Sequence, residues 1–452
     1  MSNTSAILSK AIPLCEPSQE QQQRIAKIAK DAKTLVERCV APIDDVVDVV
    51  FGGSFAKGTW LPEDADVDIF VKMKSSVSIE KFEELGKEIG LNTLKNYGPK
   101  LRYSDHPYVE AFVKKVRVNI VPCYEVEQGK WKSAADRSPF HTRYICSNFD
   151  DEKRREARLL KRFLKTLGIY GAEVAVEGFS GYVSEVLVLR YRSLENVLQA
   201  AADWHVRQLI STDDYDKDLV KNFRSPLIII DPVDSKRNLG TAISAESVSK
   251  FILAARTFLD RPSLEFFKGG KHRYTPSNKL LLPNVLVVEF SHPSKSPDII
   301  WGQLKHSLKS IVKQLELAHF TVLRSSCLTD ERASGAFVFL LESITLPRYT
   351  RKRGPDIFRR KDAASFLSMR KRKPLAVWMD EEMRIATLVE RRSTDAREFI
   401  RSLLTNELES SGVSKDLIVN KVEIYSGKDR KLKGLVKEAI GKVVSTEHLI
   451  FE

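Results

Sequence analysis

Apolar residues recur at helical spacing near the start of the chain. Within residues 18–41, apolar residues fall on one side of a helix with a period of about 3.6 residues, namely Ile25, Ile28, Leu35 and Val36. Pro42 follows, and proline cannot continue a helix without the loss of a backbone hydrogen bond. The pattern therefore predicts a helix that ends before Pro42.

Shorter apolar runs, separated by turn residues, follow this helix. Runs rich in Val, Ile and Phe with polar residues at alternate positions are typical of half-buried strands. The predicted elements are strands at 47–53 and 67–73, a helix over 78–90 that ends at Gly90, and a hairpin over 109–124 that turns near Lys114 and Lys115. This order predicts a small mixed α/β domain over residues 1–150.

From residue 151 the pattern becomes mainly helical. The stretch DEKRREARLLKRFLKTLGIYG has an apolar face and a basic face, and it predicts a helix that is stopped by Gly168. Further helical stretches run through 180–211 and 244–260, and the strand-like PLIIIDP lies between them. We therefore predict a mostly helical central domain over residues 151–262.

Strands return in the last part of the chain. VLVVEFS and AFVFLLES have the length of strands, and a helical pattern over 301–318 separates them. This β-α-β order predicts a ferredoxin-like or RNA-recognition-like C-terminal body with a basic tail within residues 263–452. The fold class expected for the whole chain is therefore α+β with several domains.

Length and composition set limits on this picture. A chain of 452 residues is too long for one ordinary core, and 42% hydrophobic with 29% charged residues is typical of a folded protein. The longest apolar runs, such as 280–288 and 226–231, have the length of strands and are broken by Pro or Asp, so none reaches the roughly 18 residues of a membrane span. We expect no membrane association and a cytoplasmic location, because the N-terminus lacks the pattern of a signal peptide.

The charge balance points to a class of partner. The net charge of +13 favours polyanions, of which nucleic acids are the most common. Much of this charge lies in RYTRKRGPDIFRRKDAASFLSMRKRKP, residues 348–374, where Tyr349, Phe358 and Phe366 are interleaved with Arg and Lys. A run of solvated charge is the alternative, but the Gly-Pro turn and the apolar neighbours favour a folded basic surface.

The segment GGSFAKGTWLPEDADVDIF, residues 52–70, is the strongest candidate for chemistry. Residues two apart on a strand share a face, so Asp66 and Asp68 present two carboxylates side by side. Such like charges need a positive partner, and Mg²⁺ shared with substrate phosphates suits them. Upstream, the glycine turn with Ser54 and the charge of Lys57 can hold an anion. The pattern predicts phosphoryl or nucleotidyl transfer, against the alternative of a plain hairpin turn beside an exposed acidic edge.

This segment resembles the signature of the polymerase-β-like nucleotidyltransferases. Further stretches narrow the resemblance, namely SDHPYVEAF, IVPCYEV, DRSPFHTRY, LLKRFLKTLGIYGAE, GFSGYVSEVL and DPVDSKRN. In this order they resemble an archaeal, class I CCA-adding enzyme from about residue 45 to 265, and more loosely through PSLEFF, VLRSS and RKRGPDIF. The resemblance implies a catalytic nucleotidyltransferase domain over 1–150, a central nucleotide-binding domain over 151–262 and a tRNA-binding body and tail over 263–452.

The resemblance also implies roles for individual residues. Asp66 and Asp68 match the two metal-binding carboxylates of the family. Ser54 and Lys57 match positions that hold the triphosphate, although arginine is common at the second of them. The residues that match contacts to the sugar, the phosphates and the base of the nucleotide are His141, Lys161, Tyr170 and, for the base, Arg237. Taken singly, each has a structural alternative as a surface charge, a core aromatic ring or one partner of an ion pair.

One position departs from the family pattern. The family has a third carboxylate on the neighbouring strand, where VRVNIVPCY places Asn119 in the catalytic, metal-binding position. An amide is a poor metal ligand and cannot accept the proton of an attacking hydroxyl. Glu110 and Glu125 are candidate substitutes, although neither lies on a matching motif. Asn119 is either an engineered replacement of Asp or the mark of a natural chain with impaired or altered activity.

The activity implied by the resemblance is template-independent addition of C, C and A to the 3′ end of tRNA from CTP and ATP. Two Mg²⁺ ions would assist it, and pyrophosphate would leave. Basic residues would bind the acceptor and T arms of tRNA, and a homodimer is compatible with the resemblance. The residues expected to bind tRNA are Arg351, Lys352, Arg353, Arg359 and Arg360.

Two alternatives stay open at this point. A poly(A)-type or oligoadenylate-type polymerase shares the GGS and D-x-D core, but it elongates with ATP alone, whereas CCA addition needs CTP and stops after A. A catalytically inactive tRNA-binding protein would bind tRNA without incorporating nucleotides, and Asn119 favours this second alternative.

Overall fold

The chain, described here from a computed structural model, divides into two compact units. One contains Met1–His272 with Glu447–Glu452, and the other contains Arg273–Thr446. The structure describes residues 3–103, 107–215, 217–268, 279–368, 374–406, 411–418, 422–430, 432–446 and 448–451. Residues 104–106 of the SDHPYVEAF motif and residues 369–373 of the basic segment lie outside the described residues.

The first part of the first unit alternates helices and strands. Its elements are α1 Asn3–Cys15, α2 Gln19–Val40, β1 Val46–Gly52, α3 Gly53–Lys57, β2 Asp66–Lys74, α4 Ile79–Leu94, β3 Lys100–Tyr103, β4 Pro107–Val113, β5 Val116–Glu125 and α5 Arg137–Asn148. The predicted first helix and the first two strands are confirmed. A capping box begins α2, because the backbone and side chain of Ser18 exchange hydrogen bonds with those of Gln21.

The five strands of this part form one sheet in the order β1-β2-β5-β4-β3. β2 and β5 run parallel, while the other neighbouring strands are antiparallel. Alternate residues such as Val67 of β2 and Val118 of β5 are fully buried in the core that α2 and α4 share with the sheet. The polar residues between them therefore lie together on the opposite face.

The hairpin of β4 and β5 is confirmed, with Lys114 and Lys115 at positive φ in its two-residue turn. The predicted end of the preceding helix at Gly90 is wrong, because α4 continues to Leu94. A Cβ at position 90 would lie 2.5 Å from the side chain of Val109. Glycine at this position therefore allows the helix to pack closely on the sheet, and it does not end the helix.

The second part of this unit is mainly helical. Its elements are α6 Asp151–Thr166, α7 Gly181–Tyr191, α8 Leu194–Ala202, β6 Gln208–Ile210, α9 Lys217–Asn222, β7 Leu227–Ile229 and α10 Ala245–Asp260. Gly168 follows α6 at a φ of 71°, as expected for a residue that stops a helix. The helical prediction for 180–211 is wrong at its end, because β6 forms there and pairs in parallel with β7.

Aromatic rings from separate segments fill the core of this helical part. Phe163 of α6 stacks on Phe266 and meets Phe251 and Phe258 of α10 edge to face. The end of the chain returns to the same core as a short helix, His448–Phe451, in which Ile450 is buried. This return of the chain end has no counterpart in the sequence predictions.

The second unit is built on a four-stranded antiparallel sheet. Its elements are β8 Val285–Ser291, α11 Pro297–Leu317, β9 Val322–Thr329, β10 Ser334–Leu341, β11 Tyr349–Asp356, α12 Arg360–Ser368, β12 Ala376–Met379, β13 Arg384–Glu390, α13 Ala396–Asn406, β14 Glu423–Ser426 and α14 Gly434–Val444. The order β14-β8-β10-β9 is that of a ferredoxin-like βαββαβ sheet, and it confirms the predicted body. No helix among the described residues of the chain is both long and apolar enough to cross a membrane.

The basic segment is not a tail, contrary to expectation. It forms β11 and α12 between β10 and β14, and β11 belongs to a separate three-stranded sheet in the order β11-β13-β12. A Cβ at Gly354 of β11 would lie 2.5 Å from the ring of Phe366 on α12, so strand and helix pack on each other. The described basic residues of β11 and α12 therefore belong to a folded insertion, in which the strand and the helix pack on each other.

Candidate active site

The two carboxylates lie beside the turn that follows β1. Gly52, the last residue of β1, pairs with Asp68 of β2. Gly53 follows at a φ of +64°, and a Cβ there would lie 1.8 Å from Asp68 Oδ2. Glycine alone allows both this backbone conformation and this close approach. The GGS turn therefore packs directly against the carboxylate, and α3 carries Ser54 and Lys57 onward from it.

The two lysines of the predicted site end in one buried cluster. Lys57 Nζ lies 2.5 Å from Oε2 of Glu185 on α7, and Lys161 Nζ lies 2.7 Å from Oε1 of the same residue. Lys161 also donates a hydrogen bond to the hydroxyl of Thr59 at 2.8 Å. Glu185 is fully buried, and Lys161 is 1% exposed. Because two ammonium groups share one carboxylate, the cluster has a net positive charge.

Burial and charge shift the pKa values within this cluster. Burial lowers the pKa of Lys161 to about 8, against the attraction of Glu185. Burial alone would raise the pKa of Glu185, but the charges of Lys161 and Lys57 outweigh it and lower this pKa to about 2. Glu185 is therefore ionised at neutral pH and binds both lysines. Direct contact of the lysines with a triphosphate stays a prediction.

The side chains of Tyr170 and Lys161 both approach Gly181, the first residue of α7. A Cβ at Gly181, the first residue of α7, would lie 3.0 Å from the Tyr170 hydroxyl and 3.6 Å from Lys161 Nζ. The structure thus brings together the two side chains that the sequence places nine residues apart. Burial raises the pKa of the Tyr170 hydroxyl, so this group stays a neutral hydrogen-bond donor at physiological pH.

A buried carboxylate joins His141 and Arg237, two other predicted site residues. Oδ2 of Asp231, which follows β7, accepts a hydrogen bond from His141 Nε2 at 2.9 Å and from Arg237 Nη1 at 3.3 Å. Oδ1 accepts from the Tyr182 hydroxyl at 3.2 Å. Burial lowers the pKa of His141, so a neutral imidazole stacks on Tyr182 with ring centroids 3.9 Å apart. The side chain of Arg237 is 43% exposed, so part of its guanidinium faces solvent.

Asp66 and Asp68 are each bound to a side chain of β5. Arg117, in register with Asp66, donates from Nε to Oδ1 at 2.9 Å and from Nη2 to Oδ2. Asn119, in register with Asp68, donates from Nδ2 to Oδ1 at 2.8 Å. Among the residues that the structure describes, the buried carbonyl oxygen of Asn119 has no hydrogen-bond partner. Burial raises the pKa of Asp68 and the charge of Asp66 adds to the rise, while the hydrogen bond from Asn119 opposes it.

This set of donors fits one divalent cation better than two. Among the described residues, no three His, Cys, Asp or Glu side chains converge on a metal position. Asp66, Asp68 and the unpartnered oxygen of Asn119 can supply oxygen ligands to one ion that also binds phosphates, once Arg117 leaves Asp66. A second ion at the attacking hydroxyl would need a carboxylate at position 119.

The two candidate substitutes for the missing carboxylate are engaged elsewhere. Glu110 lies across from Asn119 on β4, and Arg102 donates two hydrogen bonds to its Oε1 at 2.6 and 2.8 Å. Glu125 lies at the far end of β5 and pairs with Lys72 at 2.8 Å. Neither residue therefore adds a carboxylate to the pair in this structure.

The predicted tRNA-binding residues lie in the second unit. All five are exposed on β11 or close to the start of α12, namely Arg351, Lys352, Arg353, Arg359 and Arg360. Arg351 Nη2 lies 2.7 Å from Asp380, and Arg353 pairs with both Asp380 and Glu382. Acidic neighbours thus compensate part of the positive charge, and the role of the five residues in tRNA binding stays a prediction.

Three charged residues of these clusters are absent from the sequence-based candidates, namely Glu185, Asp231 and Arg117. Each has a signal in the sequence. Glu185 is the one charged residue in the apolar run GYVSEVLVL, and Asp231 directly follows the apolar LIII. Arg117 lies two residues before Asn119 and therefore on the same face of β5. A lone charge within an apolar element is typical of a buried pair, because an unpaired buried charge is costly.

Comparison with known proteins gives consistent matches over three consecutive segments. Residues 25–144 match the family model of the nucleotidyltransferase domain, residues 155–268 that of the tRNA nucleotidyltransferase second domain, and residues 283–427 that of the CCA-adding enzyme C-terminal domain. The CCA-adding enzyme of Pyrobaculum neutrophilum is 36% identical over 367 residues, which cover 79% of this chain and 84% of the relative. That of Methanothermobacter thermautotrophicus is 32% identical over 405 residues, which cover 88% of each chain.

Solved structures are more distant than these relatives. The Cid1 poly(U) polymerase aligns with 58% of this chain and 98% of its own, at 15% identity and a TM-score of 0.47. CdnC of E. coli MS115-1 with ATP aligns with 57% of this chain and 94% of its own, at 18% identity and a TM-score of 0.44. These scores are too low to support an argument, so the assignment depends on the sequence relatives. Their identity and coverage show that the chain belongs to the CCA-adding enzyme family of tRNA nucleotidyltransferases, whose relatives named here are archaeal.

Proposed function

We propose that this chain adds C, C and A to the 3′ end of tRNA without a nucleic-acid template. It would use CTP and ATP, and the tRNA 3′-hydroxyl would attack the α-phosphate while pyrophosphate leaves. The observation that carries the proposal is the packing of the GGS turn against Asp68, with Asp66 beside it on β2. The match to CCA-adding enzymes over most of their length supports the choice of substrate.

The buried lysine cluster is proposed to attract the triphosphate. Lys57 and Lys161 contribute two positive charges and Glu185 one negative charge, so the cluster as a whole favours an anion. A low local dielectric strengthens the field of such buried charges. Ser54 would contribute its hydroxyl from the turn at the start of α3.

The cluster around Asp231 is proposed to hold the nucleoside. Asp231 orients the guanidinium of Arg237, whose exposed part can donate hydrogen bonds to the edge of a base. His141 is held neutral against the same carboxylate and can contact the sugar. Tyr170 would donate its hydroxyl to a phosphate next to Lys161.

Asp66 and Asp68 are proposed to hold Mg²⁺ together with the triphosphate. When bound, Mg²⁺ supplies charge neutralisation for the leaving pyrophosphate. Asn119 cannot accept a proton from the attacking 3′-hydroxyl, so the chain lacks the base that an aspartate at this position would provide. We therefore propose that incorporation by this chain is slow.

The basic insertion of the second unit is proposed to bind the acceptor and T arms of tRNA through phosphate contacts. Replacing Arg351, Lys352, Arg353, Arg359 and Arg360 by Gln should weaken tRNA binding and reduce its dependence on salt. A matched control removes five exposed positive charges from α1 and α2, namely Lys10, Arg24, Lys27, Lys30 and Arg38. Equal tRNA affinity for the first variant and the unchanged chain would contradict the assignment.

Three further features complete the proposal. A cytoplasmic location follows from the tRNA substrate. A division of the first unit near residue 150 is supported by the separate matches over 25–144 and 155–268. The second boundary, predicted near 262, is proposed a few residues later, because the middle match runs to 268 and the first unit runs to His272. A homodimer is a prediction from the resemblance alone, and sedimentation of the full chain tests it.

The decisive experiment uses tRNA that lacks its CCA end, with Mg²⁺ and with CTP, ATP or both. Products of the unchanged chain and of Asn119→Asp are resolved to single nucleotides. We expect both chains to add C, C and A and then stop. The aspartate variant should be faster by at least about a hundredfold, because it gains a general base and a metal ligand.

The other outcomes identify the alternatives. Continued elongation with ATP alone would favour a poly(A)-type or oligoadenylate-type polymerase. Tight tRNA binding without incorporation by either chain would favour a catalytically inactive tRNA-binding protein. Equal rates for the two chains would show that Asn119 does not limit the reaction.

A further inference from the structure

A cationic side chain of the protein lies where a divalent ion would bind the first carboxylate. Arg117 of β5 is in register with Asp66 of β2, and its guanidinium donates to both carboxylate oxygens. A bidentate pair of this kind uses the oxygen lone pairs that a metal ion would also use. The guanidinium uses one lone pair on each oxygen, and its positive charge repels a cation at the others, so guanidinium and ion compete for Asp66.

The second carboxylate, Asp68, also accepts a hydrogen bond from β5, but the donor is the neutral amide of Asn119. The amide nitrogen of Asn119 donates a hydrogen bond to Oδ1 of Asp68 at 2.8 Å. The two residues of β5 that face the carboxylates are thus both hydrogen-bond donors. Together they donate three hydrogen bonds to the acidic pair.

We infer that Arg117 is a resident cation at the catalytic site, and that a divalent ion binds Asp66 only after it displaces the guanidinium. Arg117 therefore sets the affinity of the site for the ion, and Asn119 lowers it further because it adds no negative charge. The inference deepens the proposed function and rests on it for the purpose of the ion. The competition between guanidinium and ion is a property of the contacts alone.

The exposure of Arg117 and Asp66 determines how strongly Arg117 weakens ion binding. The side chain of Arg117 is 45% exposed and that of Asp66 is 27% exposed, so water screens their attraction in part. Removal of the guanidinium should therefore tighten ion binding by about tenfold, rather than by the several orders of magnitude that a fully buried pair would give. Lysine at position 117 keeps the charge and loses the bidentate geometry, so it should give about a threefold gain.

The test measures Mn²⁺ binding to the full chain without nucleotide or tRNA, from the paramagnetic resonance signal of free Mn²⁺. The variants are Arg117→Gln and Arg117→Lys. The matched control is Arg430→Gln in the second unit, where Arg430 is 52% exposed and pairs with Glu423. We expect binding about ten times tighter for Arg117→Gln, an intermediate gain for Arg117→Lys and no change for Arg430→Gln.

A double variant shows whether the gain arises at the proposed site. Asp66→Asn in the Arg117→Gln background should abolish the gain, because it removes the carboxylate for which guanidinium and ion compete. Equal affinity of Arg117→Gln and the unchanged chain would overturn the inference, as would a gain that persists without Asp66. If circular dichroism shows that Arg117→Gln is unfolded, the same comparison with Arg117→Lys decides.

The Mn²⁺-binding measurement and the incorporation assay can refute the inference and the proposed function independently of each other. A chain that binds Mn²⁺ as expected but adds no nucleotides to tRNA would refute the proposed function and support the inference. A chain that adds CCA while Arg117→Gln and the unchanged chain bind Mn²⁺ equally would support the function and overturn the inference.

Discussion

Two clusters in the first unit each contain two side chains of like charge, but one cluster is partly exposed and the other is buried. Asp66 and Asp68 are like charges at a partly open face of the sheet, where Arg117 balances the first and the neutral amide of Asn119 donates a hydrogen bond to the second. Lys57 and Lys161 are like charges that Glu185 balances in the interior. In both clusters a group from a distant part of the sequence lies between or beside the like charges.

The two clusters differ in whether water or an ion can replace the side chain that carries the opposite charge, Arg117 in one and Glu185 in the other. Asp66 is 27% exposed, whereas Lys161 is 1% exposed and Glu185 is fully buried. Water or an ion can take the place of Arg117, so the acidic pair can exchange its partner for a ligand. Neither can easily replace Glu185, because its removal leaves two buried charges uncompensated. The acidic pair is therefore suited to exchanging Arg117 for a ligand. The lysine cluster keeps the same partners and contributes a constant positive electrostatic potential.

The largest expected effect is the replacement of the buried carboxylate. Glu185→Gln should reduce the free energy of unfolding by about 3–5 kcal/mol, because Lys57 and Lys161 lose their common counter-charge in the interior. Urea denaturation followed by circular dichroism measures the change. Glu246→Gln, at an exposed position in the first turn of α10, is the control and should cost less than about 1 kcal/mol.

A loss below about 1 kcal/mol for Glu185→Gln would show that the lysine cluster is not the buried ion pair that the distances indicate. The contrast between the two clusters would then disappear.

The second prediction concerns acid pH. The pKa of Glu185 is lowered from 4.5 to about 2 in the folded protein, so its ionisation contributes stability that is complete above pH 4.5. This contribution is lost as the pH falls from 4.5 towards 2. The stability difference between the unchanged chain and Glu185→Gln should therefore narrow over that range. Urea midpoints of both proteins, compared from neutral pH downwards, provide the check.

A stability difference that stays constant down to about pH 3 would argue against the lowered pKa. It would mean that Glu185 binds its proton at a similar pH in the folded and the unfolded chain.

The smallest effect is expected at the open cluster. Arg117→Gln should change the free energy of unfolding by about 1 kcal/mol or less, because the pair with Asp66 is partly exposed. The same urea assay measures it. A loss as large as that of Glu185→Gln would mean that Arg117 is part of the permanent structure, and ion exchange at Asp66 would then be unfavourable.

Local sequence signals predicted most of the fold correctly. The strands β1 and β2, the helix α2 and the hairpin of β4 and β5 follow from apolar periodicity and turn residues, which act over a few positions. The errors occur where tertiary contacts override a local signal. Gly90 was expected to end a helix, but it allows α4 to pack closely on Val109. Residues Gln208–Ile210 were expected to be helical, but they form β6, which pairs in parallel with β7.

The candidate site was predictable as far as its residues lie on recognisable motifs. The spacing of Asp66 and Asp68 on one strand indicates a shared face, and the structure places them on one. The resemblance implies that Asn119 lies beside them on the neighbouring strand, and the structure pairs Asn119 of β5 in register with Asp68. The functions assigned to these residues from the family stay predictions.

By itself, the sequence determined the family, the two adjacent carboxylates and the amide at position 119, because motifs and strand alternation are encoded within short stretches. The tertiary structure alone decided the partners of these charges. Glu185 reaches Lys57 across 128 positions, and Arg117 reaches Asp66 across 51. Charges pair according to distance and burial in three dimensions, and no local pattern records which distant strand or helix will lie alongside.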